Sequence, residues 1–272
     1  MKISAVVCSR NDNPNNYVRL VLTLNNLIDL YDEVIYVDYG SVKPIFEEEF
    51  FKINVKKSAR LRCINVTLDN AKAILSDRFI EVYARNIGIR RATCDFIVST
   101  NQDIICDRPA TLDENTLYTV ARYNYPIHLV NGLCEIPQYL QELKRVKSSL
   151  SRQQDAVDSA GNPIWDSGDR WSLVVSCGDY QIAHKKIWNK IRGFEESMIE
   201  RCYADSNLMK KASKFFNIKK LDLDVFHLDH PINVSSNYKL NDRIKYVNNF
   251  DETLNEDTWG FSTMDFNEIK YV

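Results

Sequence analysis

No apolar run in the 272 residues reaches membrane-spanning length, and the opening MKISAVVCSRND holds too few apolar residues for a signal peptide. No CxxC pair occurs among the seven cysteines, at positions 8, 63, 94, 106, 134, 177 and 202, so the spacing of a structural zinc site or a dithiol redox motif is missing. An odd, scattered set reads as reduced, mostly buried thiols and points to the cytoplasm, since such thiols are a liability under oxidising conditions. Neither sign of charge is in excess, with 35 Lys and Arg against 37 Asp and Glu. That balance supplies no global field to attract nucleic acid or a membrane surface, and any anion site has to be local. No internal repeat or low-complexity tract is present.

What the chain does contain is strands alternating with helices. Ile3 to Cys8 is a short apolar strand, followed by the polar run SRNDNPNN and a helix from about Asn16 to Leu30 with Val18, Leu22, Leu27 and Leu30 at apolar positions. Further strands are expected at Glu33 to Val37, Arg62 to Val66 and Phe96 to Ser99, with an amphipathic helix over Val82 to Ala92. Such alternation argues for an α/β fold, a Rossmann-like and mostly parallel central sheet flanked by helices. From about Thr111 the pattern loosens, and Arg152 to Asp169 reads as a long loop, either a lid or simple disorder. A helix is expected over Gln181 to Lys190 with Gly193 as its stop, another over Ala204 to Phe215, and a strand over Leu221 to His227. The chain past Pro231 reads as a tail wrapped on a single domain.

Strand ends carry the candidate chemistry, because open α/β sheets bind ligands at the carboxyl ends of their strands. Ser9, Arg10 and Asn11 follow the first strand, Asp38 with Gly40 and Ser41 the second, Asn101, Gln102 and Asp103 the fourth, and His227 and His230 the last. Asp38 reads either as an acceptor for a base or ribose or as a turn former beside Gly40. Arg85 reads either as a planar fork for phosphate or as a surface helix charge. Asp103 is a hard oxygen ligand for a divalent metal or a cap on the next turn, and the two histidines are metal ligands or satisfied, partly buried imidazoles. Trp165, Trp171 and Tyr180 are flat faces for an acceptor sugar or core aromatics.

Taken in order, VVCSRND, YVDYGS, ARNIGIRRATCDFIVSTNQDI, SCGDYQIAHKKIWNKIRGFEE, ADSNL and VFHLDHP resemble a nucleotide-sugar glycosyltransferase of the GT-A fold, similar to the family-2-like transferases. The resemblance covers roughly residues 3 to 231. It implies a GT-A domain over 1–231, with a nucleotide-binding half at 1–110 and an acceptor and catalytic half at 111–231, and a tail over 232–272. It implies a metal-binding DxD motif at Asn101-Gln102-Asp103, in which Asn101 replaces the first carboxylate and Asp103 keeps the metal position. It further implies nucleoside contacts at Asp38, diphosphate contacts near Arg85 and Asn86, and a metal-completing His227 or His230. A general base falls at Asp205, where Ala204 replaces the family's preceding Glu. Asp179 and Glu196 are second candidates for the base and, with Gly178 and Trp171 nearby, are expected rather to hold donor-sugar or acceptor hydroxyls. The expected cofactor is manganese or magnesium, the donor a UDP-sugar, the acceptor a glycan or other hydroxyl, and the outcome inverting. A nucleotidyltransferase is the rival enzyme, but SRNDNPNN lacks the glycine of a phosphate loop. A degenerate nucleotide- or glycan-binding module is the other rival, suggested by Asn101 and Ala204. Nothing in the sequence sets an oligomeric state.

Overall fold

The computed structural model describes residues 1–11, 16–130, 133, 138–152, 178–199, 204–230 and 254–272. Its strands are β1 (Ile3–Ser9), β2 (Glu33–Tyr39), β3 (Leu61–Val66), β4 (Phe96–Thr100), β5 (Ile104–Cys106), β6 (Thr116–Thr119), β7 (Tyr123–Tyr125), β8 (Ser151–Arg152), β9 (Tyr180–His184), β10 (Asn217–Lys220), β11 (Val225–Leu228) and β12 (Asn267–Lys270). Its α-helices are α1 (Tyr17–Leu30), α2 (Glu49–Asn54), α3 (Leu68–Ile74), α4 (Glu81–Arg91), α5 (Ile127–Val130), α6 (Tyr139–Val146), α7 (Lys185–Ile191) and α8 (Ala204–Ser213).

Eight strands form the central sheet in the order β10-β6-β9-β4-β1-β2-β3-β12. Its middle, β4-β1-β2-β3, is parallel, while β9 and β12 run antiparallel to their neighbours. Because alternate side chains of a strand face opposite ways, Val6, Val37 and Ile64 pack with Ile87 and Trp188 on one face, and Ala5, Val7 and Tyr36 with Leu20, Leu24 and Leu27 of α1 on the other. This is a mixed α/β domain with helices on both faces of one large sheet. A smaller sheet, β5-β11-β7-β8, stands beside the end of β4 and brings β11 antiparallel to β5.

Several expectations give way to tertiary pairing. The helix expected over Gln181 to Lys190 begins only at Lys185. Its first half is strand β9, whose Tyr180, Gln181, Ile182 and Ala183 are wholly buried between β4 and β6. Strand partners on both sides override a helical reading of a short apolar run. Tyr180 is therefore a core aromatic, its hydroxyl 2.9 Å from that of Tyr31, and not a sugar platform. The strand expected over Leu221 to His227 starts at Val225, and the loose region past Thr111 contains β6 and β7. Strand β2 runs on past Val37, so Asp38 lies inside it. The loop expected at 152–169, apart from Arg152 in β8, lies outside the described residues, as do Trp165 and Trp171.

The carboxy-terminal segment closes over α4. Arg91 donates to the carbonyls of Gly260, Phe261 and Met264, Arg90 stacks 4.9 Å from the Trp259 ring centroid, and β12 pairs along the β3 edge. Cys8, Cys63, Cys94 and Cys106 are buried, while Cys134, Cys177 and Cys202 lie outside the described residues. No helix among the described residues is long and apolar enough to cross a membrane.

Candidate active site

The carboxyl ends of β1, β2 and β4 meet at one edge of the sheet, as parallel pairing requires. Thr100 ends β4, and the next three residues turn into β5 while holding three different partners. Asn101 faces a cleft of about 680 Å³, open mouth included, lined by Glu81, Arg85, Gly178, Asp179, Phe194 and Asp205 among others. Gln102 hands its carbonyl to Thr23 of α1, whose Oγ1 donates at 3.0 Å. Asp103 turns toward β11.

There Asp103, His227 and His230 offer ligand atoms all within 4.8 Å of one another. Asp103 Oδ2 lies 3.1 Å from His230 Nε2 and 3.6 Å from His227 Nε2. Pairing of β11 with β5 sets this distance, because it places His227 opposite Ile104, and the Leu228 amide donates to the Asp103 carbonyl at 2.8 Å. Burial by itself raises the Asp103 carboxyl, yet hydrogen bonds and charge from His227 and His230 override it and hold the group well below the usual carboxylate range. Asp103 Oδ1 and His227 Nδ1 are buried with no hydrogen-bond partner among the described residues. An ionised carboxylate with a spare oxygen beside two imidazoles fits a divalent transition cation, and the nitrogen donors suit manganese better than magnesium.

The cleft that Asn101 lines holds a polar relay. Arg85 is 5 % exposed. It donates to Glu81 Oε1 through Nε at 2.9 Å, to Ser99 Oγ through Nη1 at 2.7 Å, and to Asn101 Oδ1 through Nη2. Asn101 Nδ2 then donates to Asp179 Oδ1 at 2.7 Å, and Arg122 pairs with Asp179 Oδ2. Asn101 thus spends its acceptor on an arginine and its donor on an aspartate, a division that an ionised carboxylate cannot make. A carboxylate here would face Asp179 with like charge, which accounts physically for Asn where the resemblance leads one to expect Asp. Asp205, in the first turn of α8, stands against Gly178, and its carbonyl accepts from Gln181 Nε2 at 3.3 Å.

Other expected residues are turned inward. Asp38 is fully buried, with Oδ1 accepting from Ser41 Oγ and Oδ2 from the Ile45 amide at 2.6 Å. It organises the loop after β2. Ser41 Oγ in turn accepts from the Asn11 amide at 2.8 Å, and Asn11 Nδ2 donates to the Lys43 carbonyl at 2.8 Å. Gly40 makes the turn at φ 73°, and its amide donates to the Val66 carbonyl at 2.7 Å. Ser9 Oγ lies 2.7 Å from Tyr36 OH, and Arg10 donates to the Asp77 carbonyl. Asn86 and Glu196, expected near the donor, make hydrogen bonds within the protein. Asn86 clasps the Phe194 backbone on both sides, and Glu196 Oε1 accepts from Asn86 Nδ2 at 3.0 Å and from the Gly260 amide at 2.8 Å. Both fasten the turn after α7 to the carboxy-terminal segment.

Sequence reasoning passed over Glu81 and Arg122. Glu81 stands one turn ahead of Arg85, an i,i+4 pair that was legible. Arg122 meets Asp179 only through the fold.

No family model matches the chain, and no curated protein matches it. Solved structures do. Residues 1–349 of S. aureus TarS in complex with UDP-GlcNAc match with a TM-score of 0.55 and 14% identity, covering 91% of this chain and 65% of that one. The same fragment with UDP gives 0.51 and 14% over 85% and 61%, and the fragment alone gives 0.50 and 15% over 84% and 60%. The chain spans about 60% of the length of that first match. At such identity the likeness is one of fold, and the fold shared is that of TarS, a glycosyltransferase.

Proposed function

We propose that the chain transfers a sugar from a nucleotide diphosphate, a UDP-sugar, to an acceptor hydroxyl, with metal assistance and inversion at the anomeric carbon. The observation that carries this reading is the juxtaposition along three consecutive residues: Asp103 sits with His227 and His230, while Asn101 opens onto the cleft that holds Asp205. Neighbours of the same fold bind UDP and UDP-GlcNAc, which supports the choice of donor.

Asp103, His227 and His230 would hold the cation, which when bound neutralises charge on a departing diphosphate. Asp205, at the amino end of α8, is the base that takes a proton from the acceptor hydroxyl as the anomeric centre develops oxocarbenium character. Gly178 leaves room for its side chain. Asp179, fixed by Asn101 and Arg122, presents a positioned carboxylate toward sugar hydroxyls. Arg85 has four of its N–H bonds committed to Glu81, Ser99 and Asn101, so its part is chiefly to hold that relay rigid. The buried thiols of Cys63, Cys94 and Cys106 favour a reducing, cytoplasmic setting.

Calorimetric titration tests the donor assignment. Manganese should tighten UDP binding, and Asp103→Ala should abolish that enhancement; equal affinity with and without manganese in the unsubstituted protein sinks the metal role. Asp205→Asn should keep UDP affinity yet lower turnover by roughly two to four orders of magnitude. A second reading, a binding module without turnover, draws on Ala204 standing in the cleft wall where a second acid would serve. UDP binding without transfer or hydrolysis across a donor panel would favour it.

A further inference from the structure

The amino-terminal turn of α1 is an unclaimed cationic corner beside the metal triad. Helix α1 runs for 14 residues, its N-cap Asn16 makes no capping hydrogen bond from its side chain, and its first turn contains no acid. Amide N–H groups at such an end, with the helix dipole behind them, favour an anion. Arg19 lies in that same turn and is 8 % exposed. Its Nη2 donates back to Asn16 Oδ1, which folds the guanidinium over the helix end, and its Nε is buried with no hydrogen-bond partner among the described residues.

A buried guanidinium matched by one neutral amide is unfavourable unless an anion completes it. Burial penalises its charged form, and the field of Asp103 opposes that penalty. Thr23, one turn further along α1, holds the Gln102 carbonyl and so anchors the helix to the segment that carries Asp103. The helix end, the guanidinium and the Asp103–His227–His230 triad therefore share one corner of the sheet edge.

We propose that Arg19 and the first turn of α1 form a phosphate-binding site that receives the diphosphate of the donor next to the cation. This inference rests on the donor reading above and adds a residue that grips the leaving group beside the metal ligands. Arg19 supplies a planar fork of N–H donors to phosphate oxygens, and the α1 amides supply further donors. Sugar transfer leaves the glycosidic electron pair on the β-phosphate oxygen, and Arg19 is placed to stabilise that added charge.

The test titrates the full chain and its Arg19→Gln and Arg19→Lys variants with inorganic pyrophosphate, UDP and manganese alone. Arg19→Gln should weaken pyrophosphate and UDP binding roughly 10- to 100-fold, the worth of a charge-assisted hydrogen bond or two, while manganese alone binds as before. Arg19→Lys, which keeps the charge and loses the fork, should fall between, and it keeps the question open to refutation should the Gln variant fail to fold. UDP affinity unchanged in both variants overturns the proposal, as does parallel loss of manganese binding, which would make Arg19 a prop for Asp103. Arg19-dependent binding of pyrophosphate without any binding of UDP would uphold the anion site and refute the nucleotide reading instead.

Discussion

Gly178→Ala adds a single methyl group to the wall of the cleft. A Cβ at that position stands 2.6 Å from Asp205 Cβ and 3.0 Å from its Cγ and Oδ2, where carbon atoms in ordinary contact sit about 3.5–4.0 Å apart. Asp205 lies in the first turn of α8 and its carbonyl is held by Gln181, so the side chain has to withdraw by about 1 Å or change rotamer. Overpacking of this kind costs about 1–3 kcal/mol of stability. A displacement of about 1 Å in a reacting group lowers turnover by roughly 10²-fold. UDP affinity in manganese should stay near that of the unsubstituted protein, because Asp103, His227 and His230 are untouched. Stability is read by urea denaturation and turnover by UDP released from a donor panel. Turnover within about threefold of the unsubstituted protein, a change of only about 0.6 kcal/mol in barrier, would refute the placement of Asp205 as base.

Gly193→Ala should be a pure stability lesion: Gly193 has φ 65°, and an added Cβ would stand 2.3 Å from Asn86 Oδ1 and 2.8 Å from Trp259 Cζ3. Left-handed strain of about 1–2 kcal/mol and overpacking of about 1–3 kcal/mol predict a loss of about 2–5 kcal/mol in urea denaturation, and a loss below about 0.5 kcal/mol would disprove the clasp. Lys211 is buried with its ammonium donating to the Gly193 carbonyl at 2.7 Å, and burial brings it down from 10.5 to about 8, against the pull of Glu195 and Glu196. Below pH 8 the folded and unfolded chains both carry this proton; between 8 and 10.5 only the unfolded chain keeps it, so this group's contribution to stability rises with pH across that window, by up to about 3 kcal/mol. Lys211→Met should remove the rise, and parallel stability–pH curves for the two proteins from pH 8 to 10.5 would contradict it.

The first hundred residues were the most legible. Ile3–Ser9 and Glu33–Tyr39 are wholly buried strands separated by an apolar-faced helix, and a parallel sheet covered on both faces writes that pattern into the chain directly. Past Thr111 the strands shorten to three to five residues, apart from the two-residue β8. Segments that short hold their conformation through their neighbours, which is why Gln181 to His184 read as helix and folded as β9. Asp103 and Asp205 were legible as acids after a strand and at a helix start. The inward turn of Asn86 was not, because its partner Phe194 lies far along the chain and no local spacing encodes that meeting.

The sequence by itself determined that strands alternate with helices and that acids and amides cluster at strand ends, since both follow from short-range periodicity and from side-chain chemistry. Only the tertiary structure decided which partners those polar groups met. Both oxygens of Asp38 accept within its own loop and Glu196 Oε1 accepts from the carboxy-terminal segment, whereas Asp103 meets two histidines from the far end of the chain and has an oxygen with no hydrogen-bond partner among the described residues. The reason is that a buried polar atom takes whichever partner the packing brings within reach, and strand register, set by many residues together, fixes what comes within reach.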